Sequence, residues 1–441
     1  MSTKYIRIDE TRVKNNQTVV SKLSFSNNVK KYFQSSLFFA KYDVNIQNIN
    51  SSILNIPIVA NVIPIAWAIG ADIFVEELDK TFLQSLDRIR TVMEKWYPQF
   101  SFSTRIHTKN RIVNNFPKER NALLFSGGLD STCSYIKLKS KLPFLIMIWG
   151  ADIPIAEKEF WEKVKQKYAQ FAEVENTRLH VIKSNIRPLL NEKKIIDEFG
   201  TFCTQHSWWG AVQHGFSSLG LCAPLTEAER IGNLFIASSC SPDLLKSGKP
   251  WGSHPLIDNK LSWANIQVFH HDQNLGRQDK IRDLLKNYIK THERYPALRV
   301  CYSQFRELNC GKCEKCLRTI TGLVLENIDP NKCGFDIDKN FFSLLKKFFV
   351  KERFSLIANN KVGMWTDIQR HIPKTSTNNM YNSKEFFEWF RCFDFSEKFA
   401  RKNPRYWLLL IFKRLPESVR KIIVRLSTVF HRVLKRNRAL L

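Results

Sequence analysis

LLFSGGLDST, residues 123–132, is a short apolar run that breaks into two glycines and ends on an acid and two hydroxyls. Leu123 to Phe125 read as the end of a buried strand, and Thr132 to Lys137 as the start of a helix. A strand that enters a helix through Ser126-Gly127-Gly128 leaves backbone N–H groups at the positive end of the helix dipole. Glycine lets a ligand approach that backbone closely, so the stretch is expected to bind an anion. The dinucleotide fingerprint lacks its third glycine here, and the Walker loop lacks the lysine beside its final hydroxyl. An ordinary strand-to-helix turn, capped by Asp130 or Ser131, is the alternative that these few residues leave open.

Downstream, strands alternate with helices. NALLFSGG, PFLIMIWG, TRLHVIKSN and GNLFIASS give four strands, separated by helical stretches such as EKEFWEKVKQKYAQFAEV. This alternation predicts an α/β fold, a parallel sheet with helices on both faces that binds ligands at the carboxyl ends of its strands. Trp149-Gly150-Ala151-Asp152, Ser184-Asn185 and Ser238-Ser239 all fall at such ends and are expected to converge on one crevice.

Upstream, ILNIPIVANVIPIAWAIGADIFV (residues 53–75) has the length of a membrane span. It carries Asn55, Asn61 and Asp72 and is interrupted by Pro57 and Pro64, which favours a buried element of a small N-terminal α+β domain. A helix follows through Leu83, Leu86, Ile89, Val92 and Met93 and stops before Pro98. The expected domains are 1–118, 119–328, and a mostly helical, basic region over 329–441.

The 441 residues exceed what one core usually serves. The N-terminal MSTKYIRIDETRVKNN has no apolar signal region, so a cytoplasmic location is expected. Ten cysteines in such a chain point to metal ligands or free thiols before disulfides. Four of them, Cys301, Cys310, Cys313 and Cys316, are spaced C-x8-C-x2-C-x2-C, which suits a closed tetrahedral zinc site; an iron–sulfur cluster uses the same ligands, and Cys333 is an alternative fourth thiolate.

The chain has 68 Lys plus Arg against 41 Asp plus Glu, a net charge of +27. Residues 401–441 hold twelve of the basic side chains and one acid, Glu417. Val419, Ile422, Ile423, Leu426, Val429, Phe430, Val433 and Leu434 recur there at helical spacing. Such a basic amphipathic helix can dock on its own protein or a protein partner, lie on an anionic membrane surface as a peripheral contact, or bind RNA.

Ser-Gly-Gly-x-Asp-Ser after an apolar strand resembles the signature of the PP-loop ATP pyrophosphatases, which have a Rossmann-like sheet. Members cleave ATP between its α and β phosphates, adenylate a carbonyl or carboxylate oxygen, and let a nitrogen or sulfur nucleophile displace AMP. The resemblance implies that Ser126, Gly127, Gly128, Leu129, Asp130, Ser131 and Thr132, with Trp149, hold ATP, and that Asp130 lies near Mg2+. Asp130, Ser131 and Lys280 are the implied catalytic residues. With the cysteine module, residues 120–325 resemble one branch, the 7-cyano-7-deazaguanine synthases, which convert a deazapurine carboxylate to a nitrile with ATP and ammonia and carry structural Zn2+. LGRQDKIRDLL is similar to a family helix in which a lysine, here Lys280, precedes an isoleucine, and CLRT to the arginine after the last zinc ligand, here Arg318.

The family's substrate-pocket runs are missing. Their places are taken by Gln205-His206-Ser207-Trp208-Trp209-Gly210 and Lys249-Pro250-Trp251-Gly252-Ser253-His254-Pro255. Trp208, Trp209, Ser238, Ser239, His254 and Arg318 are the candidate substrate residues, for a small carboxylate or deazapurine. Indoles beside imidazoles suit a flat heteroaromatic ligand. A tRNA-thiolating enzyme, using one of Cys133, Cys203, Cys222 and Cys240, and a non-catalytic nucleotide sensor are the alternative functions.

Overall fold

The computed structural model describes residues 4–200, 203, 207–240, 242, 245, 248–301, 303, 305–358, 362–374, 379–395, 411 and 419. His206 and, apart from Ile411 and Val419, the basic tail over 401–441 lie outside the described residues. Contacts divide the chain into two units, Met1–Ile337 and Asp338–Leu441.

The first unit is mixed α/β, built on one ten-stranded, mostly parallel sheet. Its strands are β1 (Tyr5–Lys14), β2 (Thr18–Phe25), β3 (Leu37–Tyr42), β4 (Asp72–Asp79), β5 (Ile106–Ile112), β6 (Arg120–Leu124), β7 (Phe144–Trp149), β8 (Leu179–Ser184), β9 (Ile231–Ala237) and β10 (Gln267–His271). Their order is β10-β9-β6-β7-β8-β3-β2-β1-β4-β5. The five strands from β10 to β8 are all parallel. Counted from β6, the chain runs outward through β7 and β8, then returns to the other side of β6 for β9 and β10. The strand order therefore reverses between β6 and β9, and a crevice opens outside the carboxyl ends at such a reversal. Leu124 pairs with Ile146 on one side and Ile236 on the other, which sets the loop after β6 level with the ends of both neighbours.

Alternate side chains of β6 enter different cores. Ala122 joins the layer that contains Ile146, Ile182, Leu234 and the helix Ile56–Ile69. Leu123 and Phe125 join Leu145, Met147, Phe235 and the helix Lys158–Val174. Both faces are thus covered, as the near-continuous apolar strands require.

The N-terminal 118 residues do not stand apart from residues 119–328. β3 pairs antiparallel with β8 through Ala40, Lys41 and Tyr42, so the N-terminal strands extend the same sheet. The Tyr42 hydroxyl donates to the Leu221 carbonyl at 2.9 Å. The apolar stretch at 53–75 is core: every residue of the helix Ile56–Ile69 is buried. Among the described residues, no helix is long and apolar enough to cross a membrane. Pro57 sits in the first turn, where its missing N–H costs nothing. Pro64 leaves the Ala60 carbonyl without its helical donor, and the Ser217 hydroxyl donates there instead at 3.4 Å. Gly70, at φ 66°, ends the helix in the left-handed conformation.

The second unit contains the helices Phe341–Ala358, Val362–Arg370 and Lys384–Arg391. Phe349 is its hub, with ring centroids 4.6 Å from Trp365 and 4.8 Å from Phe390.

Asn61 ties the buried helix to the rest of the first unit. Its Nδ2 donates to the Ile186 carbonyl at 3.0 Å, and its Oδ1 accepts from Gln213 Nε2. Asn61→Ala strands both partners in the core, so it is expected to cost about 3 kcal/mol. Calorimetry should register a fall in Tm of about 5 °C or more.

Candidate functional site

Ser126, Gly127 and Gly128 turn from β6 into the helix Leu129–Leu138. Gly127 has φ 72°, and a Cβ there would collide with the Tyr168 ring, so conformation and space both require glycine. The Gly128 N–H donates to Ser126 Oγ at 3.3 Å, and Ser131 Oγ donates to the Gly128 carbonyl at 3.1 Å. The first-turn N–H groups of Leu129, Asp130 and Ser131 have no intrahelical acceptor, as at every helix start. Leu129 and Thr132 are buried, and Thr132 Oγ1 has no hydrogen-bond partner.

The acid in this turn is enclosed by cations. Asp130 Oδ1 accepts from Lys280 Nζ at 3.3 Å, and Arg277 Nη2 lies 3.8 Å from Oδ2. Lys280 is only 1% exposed and also donates to the Ser238 carbonyl at 2.5 Å. Burial alone would raise the Asp130 carboxyl, but Arg277, Lys280 and Lys315 hold it down to about 2. Arg277 was not singled out in the sequence. Its Nε and Nη2 are buried without a hydrogen-bond partner, and its place three residues before Lys280 on one helical run was the available signal.

At the end of β7, Asp152 carries a second low carboxyl. Burial raises it, and His214, Arg299, Lys315 and Arg187 outweigh that effect. Arg187 lies 5.3 Å from the centroid of the Trp209 ring and pairs with Glu192 at 2.7 Å. His214 meets Trp209 edge-on at 5.4 Å. The crevice thus collects residues from the ends of β6, β7, β8 and β9.

Other expected site residues are committed to the fold. Trp149 stacks on Trp161 at 5.4 Å and donates Nε1 to the Pro154 carbonyl. Trp208 is fully buried against Phe100 and Phe199, and Trp209 is buried in the same core, with Arg187 and His214 against its ring. His254 caps the helix Pro255–Asp258 by accepting from the Leu256 N–H at 3.1 Å, and it packs against Trp96. Arg318 donates to Glu314 Oε1 at 2.9 Å along its own helix. Ser239 is exposed beside the buried Ser238.

The sulfurs of Cys301, Cys310, Cys313 and Cys316 lie within 4.8 Å of one another. Cys310 to Cys316 and Cys313 to Cys301 are each 3.9 Å. A tetrahedral zinc with bonds of about 2.3 Å has sulfur–sulfur edges of about 3.8 Å, so the four thiols fit that ion. Cys310 Sγ accepts from the N–H groups of Lys312 at 3.4 Å and Cys313 at 3.2 Å. Burial opposes ionisation of Cys310, but the Ser303 hydroxyl and these N–H groups lower its pKa. A hydrogen bond from Cys316 holds Cys313 down to about 4. Cys333 is buried outside this group, so Cys301 is the fourth sulfur of the set that could hold a metal.

Two outcomes follow from this geometry. Asp130 is depressed by pairing, so its contribution of about 2 kcal/mol is full above about pH 4 and disappears as pH falls through 2. Asp130→Asn should remove that part of the acid-unfolding profile. Cys313→Ser should bring bound zinc from one per four-cysteine group to near zero by elemental analysis and lower Tm by roughly 10 °C.

Comparison with family models, curated proteins and solved structures finds no match to this chain, so the chemistry of the crevice rests on its own residues.

Proposed function

We propose that the chain is an ATP-dependent, AMP- and pyrophosphate-forming ligase of the PP-loop type, which adenylates a carboxylate or amide for attack by a nitrogen nucleophile. One observation supports this reading: at the β6/β9 reversal, beside a glycine loop and helix N-terminus, Thr132 Oγ1 and two Arg277 nitrogens are buried without a hydrogen bond, Arg277 meeting Asp130 only as an ion pair at 3.8 Å. Buried N–H groups of a guanidinium that its carboxylate does not reach within hydrogen-bond distance are better satisfied when a further anion is bound. Phosphate oxygens suit both the loop N–H groups and the planar fork of an arginine.

In this scheme a carboxylate oxygen of the substrate attacks the α-phosphorus, the α–β bridging bond breaks, and its electron pair leaves with pyrophosphate. The nitrogen nucleophile then attacks the acyl carbon, AMP departs, and the nitrogen's proton passes to solvent. The N–H groups and hydroxyls of the segment from Ser126 to Thr132, together with Arg277 and Lys280, offset the charge that grows on the departing phosphates. Among the described residues, no group of three or more acids or histidines forms a cage for Mg2+. Asp130 would share an ion that arrives chelated by the phosphates, the usual arrangement for magnesium.

Thiol chemistry is disfavoured by burial. Burial pushes the Cys203 and Cys240 thiols up to about 12, and Cys133 and Cys222 higher still. A persulfide carrier needs an accessible, ionisable thiol.

Incubation with magnesium-ATP and candidate substrate extracts should release AMP and pyrophosphate in equal amounts. Asp130→Asn should lower that release by about a hundredfold or more, a size typical for a lost electrostatic group. Release of ADP and phosphate would sink the proposal, and pyrophosphate binding without turnover over a full set of extracts would favour a sensor.

A further inference from the structure

The Gly127 carbonyl is where the glycine loop meets the cysteine module. It accepts from the Arg299 backbone N–H at 2.7 Å and from the Tyr168 hydroxyl at 3.1 Å. The same hydroxyl reaches the Ala297 carbonyl at 3.2 Å. Arg299 Nε donates to the Ser126 carbonyl at 3.3 Å, and the Arg299 carbonyl lies 3.5 Å from where a Gly128 Cβ would stand. The segment from Ala297 to Arg299 therefore forms one wall of the loop.

Its other end is fastened to the four sulfurs. Cys301 follows Arg299 by two residues. Asn309, next to Cys310, accepts from the N–H groups of Val300 at 2.9 Å and Cys301 at 3.3 Å. It donates to the carbonyls of Leu298 at 2.7 Å and Gly334 at 2.8 Å. These bonds leave the span between loop and first ligand little freedom to move independently at either end. Tyr168 and Arg299 are both buried. Burial pushes the Tyr168 phenol up, so it keeps the proton it donates.

We propose that Tyr168 and Arg299 are positioning residues that join the four-cysteine centre and the glycine loop into one cooperative unit, in which a metal in the first and a pyrophosphate-type anion in the second bind with positive linkage. The anion half rests on the function proposed above; the mechanical half does not. Tetrahedral ligation fixes Cys301, Cys301 fixes Arg299, and Arg299 with Tyr168 fixes the Gly127 carbonyl. That carbonyl shares the peptide plane of the Gly128 N–H, so its orientation sets a donor of the loop. Linkage of this kind is reciprocal: the anion must tighten the metal by the factor by which the metal tightens the anion.

Two measurements on the full chain test the proposal. Hydrogen exchange is followed with zinc bound and after chelation. Peptides over 123–132 should lose protection together with those over 297–318, while β9 keeps its own. Opening of 297–318 with 123–132 unchanged overturns the coupling, whatever the loop binds. Should chelation unfold β9 as well, the second measurement decides: the rate of zinc transfer from the holoprotein to a chromogenic chelator, with and without magnesium pyrophosphate. Pyrophosphate should slow transfer about fivefold or more in the unaltered chain. Tyr168→Phe keeps the ring packed on Phe125 but lacks the bridging hydroxyl, and should lose most of that ratio. Pyrophosphate that binds by calorimetry yet leaves transfer unchanged overturns the linkage alone. Failure of pyrophosphate to bind overturns the anion site and its linkage, and exchange then decides the mechanical half. An undiminished ratio in Tyr168→Phe removes Tyr168 from the proposal.

Discussion

The left-handed backbone at Gly127 is the constraint around which the site is arranged. At φ 72° and with the Tyr168 ring against its α-carbon, this position admits no side chain. The conformation turns the chain from β6 into the helix Leu129–Leu138 within three residues. Because β6 lies between β7 and β9, that turn is level with two other strand ends, and the helix presents its positive terminus to the crevice between them.

Electrostatics then decide what the crevice can hold. Lys280 and Arg277 converge on a single carboxylate, Asp130, whose low pKa reports how far their charges outweigh its own desolvation. Asp152, at the neighbouring strand end, is depressed in the same way by a largely separate set of cations. Counting Glu192, which pairs with Arg187, three acids stand among five lysines and arginines: Arg187, Arg277, Lys280, Arg299 and Lys315. In a partly desolvated site surplus positive charge is unfavourable until an anion offsets it, which is the property that the proposed ATP site would use. The Ser238 carbonyl, at the end of β9, limits that cost by accepting from Lys280.

What was legible in the sequence was whatever the chain writes locally. The four strands from β6 to β9 are short, largely apolar runs that break at glycine, serine or asparagine, and all four form where the pattern puts them. The helix Lys80–Trp96 and the cysteine knuckle are equally local. Non-local pairing was not legible. β10, with two histidines in five residues, lacks the apolar run of an inner strand because it is an edge. The join of β3 to β8 depends on pairing between residues some 140 positions apart, so residues 1–118 read as a separate domain when they complete the same sheet. Arg277 and Tyr168 escaped notice for a similar reason. Arg277 reads as one basic residue among many, and Tyr168 as one apolar position of an amphipathic helix, until the fold brings both to the loop.

The tandem tryptophans show why side-chain type alone overstated the substrate wall. Adjacent residues on a helical turn point about 100° apart, so Trp208 and Trp209 meet different neighbours, and both are buried in the core. Trp208 takes the inner direction, against Phe100 and Phe199. Trp209 opens a π-helical turn, Trp209–Gln213, with Arg187 over its ring and Glu192 accepting its N–H. Arg187 also donates to the Ala151 carbonyl at 3.4 Å, tying this turn to the loop after β7. The one other π-helical turn among the described elements begins at Lys280. Such turns strain the regular hydrogen-bond ladder and persist where surrounding contacts hold them. One begins at Trp209, beside Arg187 and Glu192, and the other at the lysine that grips Asp130, so both π-helical turns adjoin the candidate site.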